Sequence, residues 1–199
     1  MKGPLLRFLK PGHGVPKGKH PLRRAALRLA AVAALYAAAS AVLAVAGAVP
    51  AAPVLGGMDI DNYYAWQILF VGPLVLSAWV LASGILLALG KKGARRSAVL
   101  VETARAWGGA LAVAWVPLAV QAAFMALGMG QREWVDILSE PGLWQTAYLL
   151  VLAAAGASAV VRLVLAARAT VHKKSWTAAV LTGLAAAAPA VGAYVLFIR

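Results

Sequence analysis

The sequence predicts an all-α, polytopic membrane bundle of five transmembrane helices, with its N-terminus in the cytoplasm and its C-terminus outside. Three observations predict it. Of the 199 residues, 63% are hydrophobic and only 13% are charged, where soluble domains average roughly 45–50% apolar and about 25% charged. The charges leave five long gaps, at residues 29–58, 62–90, 106–131, 141–161 and 175–198. The cations are also sorted by side, seventeen of nineteen falling in the N-terminal tail and in alternate loops.

A helix needs roughly 20 apolar residues to cross about 30 Å of hydrocarbon, and only helices or closed barrels satisfy their backbone there. Every gap is long enough. The runs are continuous Ala, Leu and Val without the strict alternation of barrel strands, so helices are expected. A basic cytoplasmic tail (residues 1–24) then precedes a five-span membrane domain (25–199). Its spans are expected at about 25–49, 64–89, 99–127, 143–166 and 176–198.

The first span follows a lead of 28 residues and is longer than the roughly 7–15 residues of a signal-peptide core, so it is read as retained although Ala46-Gly47-Ala48 imitates a cleavage site. Pro50, Pro53, Gly56 and Gly57 are expected to end it. Asp61 or Asn62 then offers an N-cap to the second span, and Ser139, Pro141 and Gly142 mark the entry to the fourth. The segment Arg132 to Leu138 spaces Trp134, Ile137 and Leu138 as one apolar stripe, a short helix lying on the outer surface. Tyr63, Tyr64 and Trp66, with Trp134 and Trp144, form an outer aromatic belt; Trp107 and Trp176 are expected at the inner edge. Pro73, Pro117 and Pro189 interrupt the second, third and fifth spans, each removing a backbone hydrogen bond and marking a helix kink. Small residues four apart, Gly84/Ala88, Gly108/Ala112 and Gly183/Ala187, permit close approach of backbones within one chain or between copies.

Orientation follows from the charges. Eight cations lie between Lys2 and Arg28, five between Lys91 and Arg105 and four between Arg162 and Lys174, leaving Arg132 and Arg199 on the other side. Cytoplasmic loops carry the excess of Lys and Arg, which places the N-terminus inside and, after five crossings, the C-terminus outside. Five of the six acids, Asp59, Asp61, Glu133, Asp136 and Glu140, lie on the opposite face.

Little chemistry is encoded at membrane depth. Gln121 is the deep polar residue of the third span, read first as an interhelical hydrogen bond. Glu102 and Arg105 are spaced i, i+3 and pair at the interface, and they and Arg162 lie near cytoplasmic ends, where long side chains snorkel. His13, His20 and His172 all fall on the cytoplasmic side and read as solvated. Cysteine is absent, so no thiolate nucleophile or thiolate metal site exists, and no metal or cofactor is expected. Only Glu102 with His172 could supply an acid/base pair, so the chain is read as non-enzymatic. The net charge of +13 is not read as a nucleic-acid footprint, because most of the chain is unavailable to a solvated partner. The cationic loops instead suit anionic lipid headgroups or an acidic protein partner at about 1 kcal/mol per residue. The residues expected to make those contacts are Lys91, Lys92, Arg95, Arg96, Arg168, Lys173 and Lys174.

Residues 62–199 resemble the bacterial branch of the Yip family, five-span membrane proteins whose eukaryotic members interact with Rab-type GTPases. The matching pieces are Tyr64 and Gln67 before Gly72-Pro73, the turn from Gly90 to Ser97, Pro117, and Val171-His172 before Ser175. The resemblance implies five spans with the N-terminus inside. Leu69 stands where the eukaryotic pattern is acidic, so it implies a fold rather than a Rab partner. Alanine and arginine bias points to a bacterial cytoplasmic (inner) membrane. The expected function is a non-enzymatic adaptor or membrane-organising protein. A small-solute transporter or channel, an accessory subunit of a larger membrane complex, and a homo-oligomer are the alternatives.

Overall fold

The computed structural model describes residues 20–50, 60–90, 94–172 and 174–197. They form α1 (Pro21–Val45), α2 (Tyr63–Leu89), α3 (Arg96–Ala126), α4 (Gln131–Ser139), α5 (Leu143–Thr170) and α6 (Trp176–Phe197), with no strand among the described residues. The tail up to residue 19, Lys91, Lys92, Lys173 and Arg199 lie outside that description.

Each helix has a local reason to start or stop. Pro21 opens α1, where a missing N–H costs nothing. The helix ends at Val45, short of the expected boundary, because Gly47 takes a left-handed conformation (φ 65°). The Ala48 N–H then reaches Leu43 O at 2.9 Å and the Gly47 N–H reaches Ala44 O at 3.1 Å, a Schellman cap. The triplet that imitates a cleavage site is thus a helix stop. Gly128 (φ 95°) closes α3 in the same way, with Met129 N–H on Phe124 O and Gly128 N–H on Met125 O. Glu133 accepts the Gly130 N–H at the start of α4 (3.1 Å), and the Ser175 hydroxyl accepts the Ala178 N–H at the start of α6 (3.2 Å). Two expected caps differ. A 3-10 turn over Ile60–Asn62 leads into α2 and the Asn62 side chain makes no capping bond. Ser139 bonds back to Val135 O (2.7 Å), leaving Gly142 to precede α5.

The long helices close into a ring in the order α1, α2, α6, α5, α3, with α3 packed against both α1 and α5. Their directions alternate along the chain. Leu29 lies against Gly108, and the Trp115 indole donates to Leu35 O (3.0 Å), so α1 and α3 run parallel. The Trp79 indole donates to Leu100 O (2.9 Å) while Tyr64 meets Gln121, so α2 runs antiparallel to α3. Helices continue through Pro73, Pro117 and Pro189; Pro117 is buried and the other two are exposed.

This alternation separates charge. Of the ten cations among the described residues, Arg132 alone sits at the end holding α4; the others lie at or toward the opposite, basic end. Four of the five described acids, Asp61, Glu133, Asp136 and Glu140, sit at the α4 end. Between the ends the outside of the bundle is apolar, with residues such as Leu69, Phe70, Leu76, Val80, Leu150 and Leu181 exposed. In α2 and α5 only 22% of the most apolar stretch is buried. That distribution suits hydrocarbon rather than water.

Four helices, α1, α2, α3 and α5, are long and apolar enough to cross a membrane. Five were expected. The apolar part of α6 among the described residues, Trp176–Pro189, falls short of the roughly 20 residues a crossing needs.

Candidate functional site

Buried polar side chains are collected toward the two ends of the bundle. Nearest the α4 end, Ser40 of α1 lies 2.6 Å from the Gln67 amide of α2 and 2.8 Å from Tyr36 O, and Gln67 reaches the Tyr63 hydroxyl at 3.4 Å. Ser40 has one proton to give, and both Tyr36 O and Gln67 Oε1 lie within reach of it. The Gln67 Nε2–H donates to the Tyr63 hydroxyl. Beside this group the Tyr64 hydroxyl donates to Gln121 Oε1 (3.2 Å), tying α2 to α3. Gln121 therefore makes the expected interhelical bond. Trp134 of α4 covers this end, buried and tilted against Phe124 (5.9 Å), so the short helix is held by its indole rather than resting loosely on the surface. Gln131 adds a bond to Val49 O (2.7 Å).

At mid-depth an apolar cavity of about 310 Å³ lies between α3, α5 and α6, with Trp107, Leu111, Ala114, Leu152, Gly156 and Val191 in its wall. Trp107 is 4% exposed. It is a core residue and not part of the inner aromatic belt, because α3 begins at Arg96 and the indole is already well inside the bundle. Its Nε1–H is buried without an acceptor. Gln121 is not in the cavity wall, so the cavity does not extend the polar group at the α4 end.

Arg162 departs most from expectation. Its Nε donates to the Ser158 hydroxyl (2.9 Å), one turn back toward the start of α5. The guanidinium thus points away from the basic end and not toward the near interface. A Cβ on Gly109 would stand 2.6 Å from its NH1, so the glycine makes room for it on α3. The side chain is exposed on the outside of the bundle, and the ion pair among the described residues is Glu102 to Arg105.

Toward the basic end, Ser83 of α2 and Thr103 of α3 lie 2.6 Å apart, both fully buried. Glu102 and Arg105 pair at 2.8 Å as expected. His172 is not a solvated loop residue. It is 7% exposed, and its Nε2 lies 2.9 Å from the Thr182 hydroxyl of α6. Its carbonyl accepts from Arg168 NH1 at 3.1 Å, and the Arg168 guanidinium lies over the Trp176 ring at 5.1 Å. Arg168 is therefore occupied in holding the α5–α6 connection, and its Nε is buried without a partner. Arg95, Arg96 and Lys174 remain exposed, as free cations at this end require; Lys91, Lys92 and Lys173 lie outside the described residues. Among the described residues no cluster of His, Cys, Asp or Glu could hold a metal ion.

Ser40, Ser83, Thr103 and Thr182 were not among the expected site residues, and Gln67 stood only as a piece of the family resemblance. Each is a neutral polar residue inside an apolar run, which is the signal that marks them in the sequence.

Comparison with known proteins returns no match. No family model, curated protein or solved structure resembles the chain significantly.

Proposed function

We propose that the protein is a non-enzymatic, multi-pass protein of a bacterial cytoplasmic (inner) membrane, similar to the Yip family. Its basic end faces the cytoplasm and contacts anionic lipid headgroups or an acidic partner. The observation that carries this reading is the separation of charge along the bundle, with Arg95, Arg96 and Lys174 exposed at an end whose one described carboxylate, Glu102, is already paired with Arg105. Exposed arginines and lysines near a membrane surface each contribute about 1 kcal/mol of attraction to anionic lipid. A fifth crossing by α6 is part of the proposal. Its 22 residues make roughly 33 Å of helix at 1.5 Å per residue, and with it the C-terminus lies outside.

The test is replacement of Lys91, Lys92, Arg95 and Arg96 together by glutamine. The eight cations of the N-terminal segment keep the orientation, so insertion is preserved. The variant is expected to lose anionic phospholipid on purification and to lose the salt dependence of that association. Unchanged lipid content at every salt concentration would leave these residues with a topological role alone.

A further inference from the structure

We infer that the outer seam between α3 and α5, around Arg162, docks a transmembrane helix of another protein that carries one aspartate or glutamate within its apolar stretch. Arg162 is exposed on the outside of the bundle, yet its charge is not at an end of it. A Cβ on Gly109 would stand 2.6 Å from its NH1 and 2.8 Å from its Cζ, so the guanidinium lies against α3 at that glycine. Gly109 is roughly 20 Å from the start of α3 and roughly 25 Å from its end at 1.5 Å per residue. In a bilayer centred on the bundle the charge faces hydrocarbon.

An arginine on the outside of a span ordinarily runs its side chain to the headgroups. This one is held the other way. Its Nε donates to the Ser158 hydroxyl at 2.9 Å, one turn toward the start of α5, and Gly109 has no side chain to keep the guanidinium off α3. With Nε taken, NH1 and NH2 remain as a fork, the geometry that pairs with a carboxylate through two parallel hydrogen bonds. Ionisable groups within spans face the bundle interior or pair with one another. Arg162 does neither, since the ion pair among the described residues is Glu102 to Arg105.

The surface beside the cation is shallow. Ala112 and Val116 share the face of Gly109 on α3 and are exposed, and on α5 Ser158 and Ala154 follow Arg162 one and two turns along the same face. Short side chains let a neighbouring helix come close enough for a carboxylate to reach the guanidinium. The position of the acids in this chain rules out a second copy as the occupant. Five of them lie at residues 59–61 and 133–140, before α2 and around α4. Glu102 is taken by Arg105 and stands roughly 10 Å nearer the basic end than Gly109. A phospholipid phosphate lies with the headgroups and would draw the side chain toward the basic end, opposite to its bond with Ser158. A carboxylate carried into the hydrocarbon by a partner's helix meets the cation where it is held. The inference rests on α3 and α5 lying in a bilayer and not on the role given to Arg95 and Arg96, so the quadruple glutamine variant leaves it intact.

The probe is a designed single-span peptide of leucine and alanine with one central glutamate and an acceptor fluorophore. The full chain carries the donor, and both are placed in phosphatidylcholine vesicles at about pH 8, where the carboxyl ionises on docking. Energy transfer across a series of peptide-to-lipid ratios gives the association constant. The glutamate peptide is expected to associate about tenfold or more tightly than the same peptide with glutamine, the gain of a charge-assisted hydrogen bond. Arg162→Gln is expected to remove that difference, and Arg162→Glu to transfer the preference to a peptide with a central lysine. Arg162 is exposed, so neither change opens a cavity. Ala112→Phe keeps the cation and obstructs the surface beside it, and is expected to weaken the glutamate peptide several-fold. Equal association of the glutamate and glutamine peptides overturns the inference, as does a glutamate preference that survives Arg162→Gln. Energy transfer between copies of the full chain that is lost in Arg162→Gln overturns it in favour of a second copy. Loss of the glutamate preference when phosphatidylglycerol is added overturns it in favour of a lipid headgroup.

Discussion

Gly183 of α6 lies so close to Val164 of α5 that a Cβ on the glycine would stand 2.6 Å from the Val164 Cα. Backbone cannot yield there as a side-chain tip can. Gly183→Ala is therefore expected to cost about 1–3 kcal/mol of stability by overpacking, read from unfolding in a fixed detergent. Gly84→Ala is the matched control, because a Cβ at Gly84 meets nothing within 4 Å; it is expected to change stability by less than about 0.5 kcal/mol. Of the small-residue pairs, Gly183/Ala187 works inside the chain, while Gly84 and Ala88 face outward.

Tyr64 and Gln121 join α2 to α3 by one hydrogen bond within the membrane-spanning part. A double-mutant cycle with Tyr64→Phe and Gln121→Leu should return a coupling of roughly 0.6–1.7 kcal/mol, the range of interhelical bonds in lipid. No coupling would remove the structural role assigned to Gln121.

Arg168 and Arg95 were given the same role on sequence alone, and the structure separates them. Arg168 bonds His172 O and covers Trp176. Arg168→Gln should cost about 1.5–3 kcal/mol of stability, as loss of a hydrogen bond from a charged donor does, and leave the co-purified lipid unchanged. Arg95→Gln should do the reverse, reducing anionic lipid while stability moves by less than about 0.5 kcal/mol. Unfolding curves and lipid analysis on the same preparations check both.

Helix order was legible because a long uncharged run has few other uses, and the charge sorting was legible because it is a property of whole loops. The ends were harder. α1 and α3 stop at Gly47 and Gly128, where a left-handed residue closes a Schellman cap, although the prolines after α1 are the louder signal in the sequence. Trp107 was placed at the inner edge because it follows Arg105 so closely, yet its indole turns into the bundle and is 4% exposed. His172 stands next to Lys173 and Lys174 and reads locally as solvated, yet its partner Thr182 lies on the next helix. The bond between Ser40 and Gln67 spans 27 residues, and local pattern does not encode such a pairing. Arg162 was read as reaching the interface, and only its bond to Ser158 shows the opposite direction.

The number of crossings and their direction decide most of what is proposed, and the absence of cysteine makes them directly measurable. Single cysteines at Ser97, Ser139 and Arg199 can be probed with a membrane-impermeant maleimide, before and after the membrane is opened. Labelling of Ser139→Cys and Arg199→Cys in sealed cells, with Ser97→Cys reacting only after opening, is the predicted result. If Arg199→Cys reacts only after opening while Ser139→Cys reacts before, α6 does not cross; if Ser97→Cys reacts in sealed cells, the basic end does not face the cytoplasm and the proposed lipid contact is contradicted.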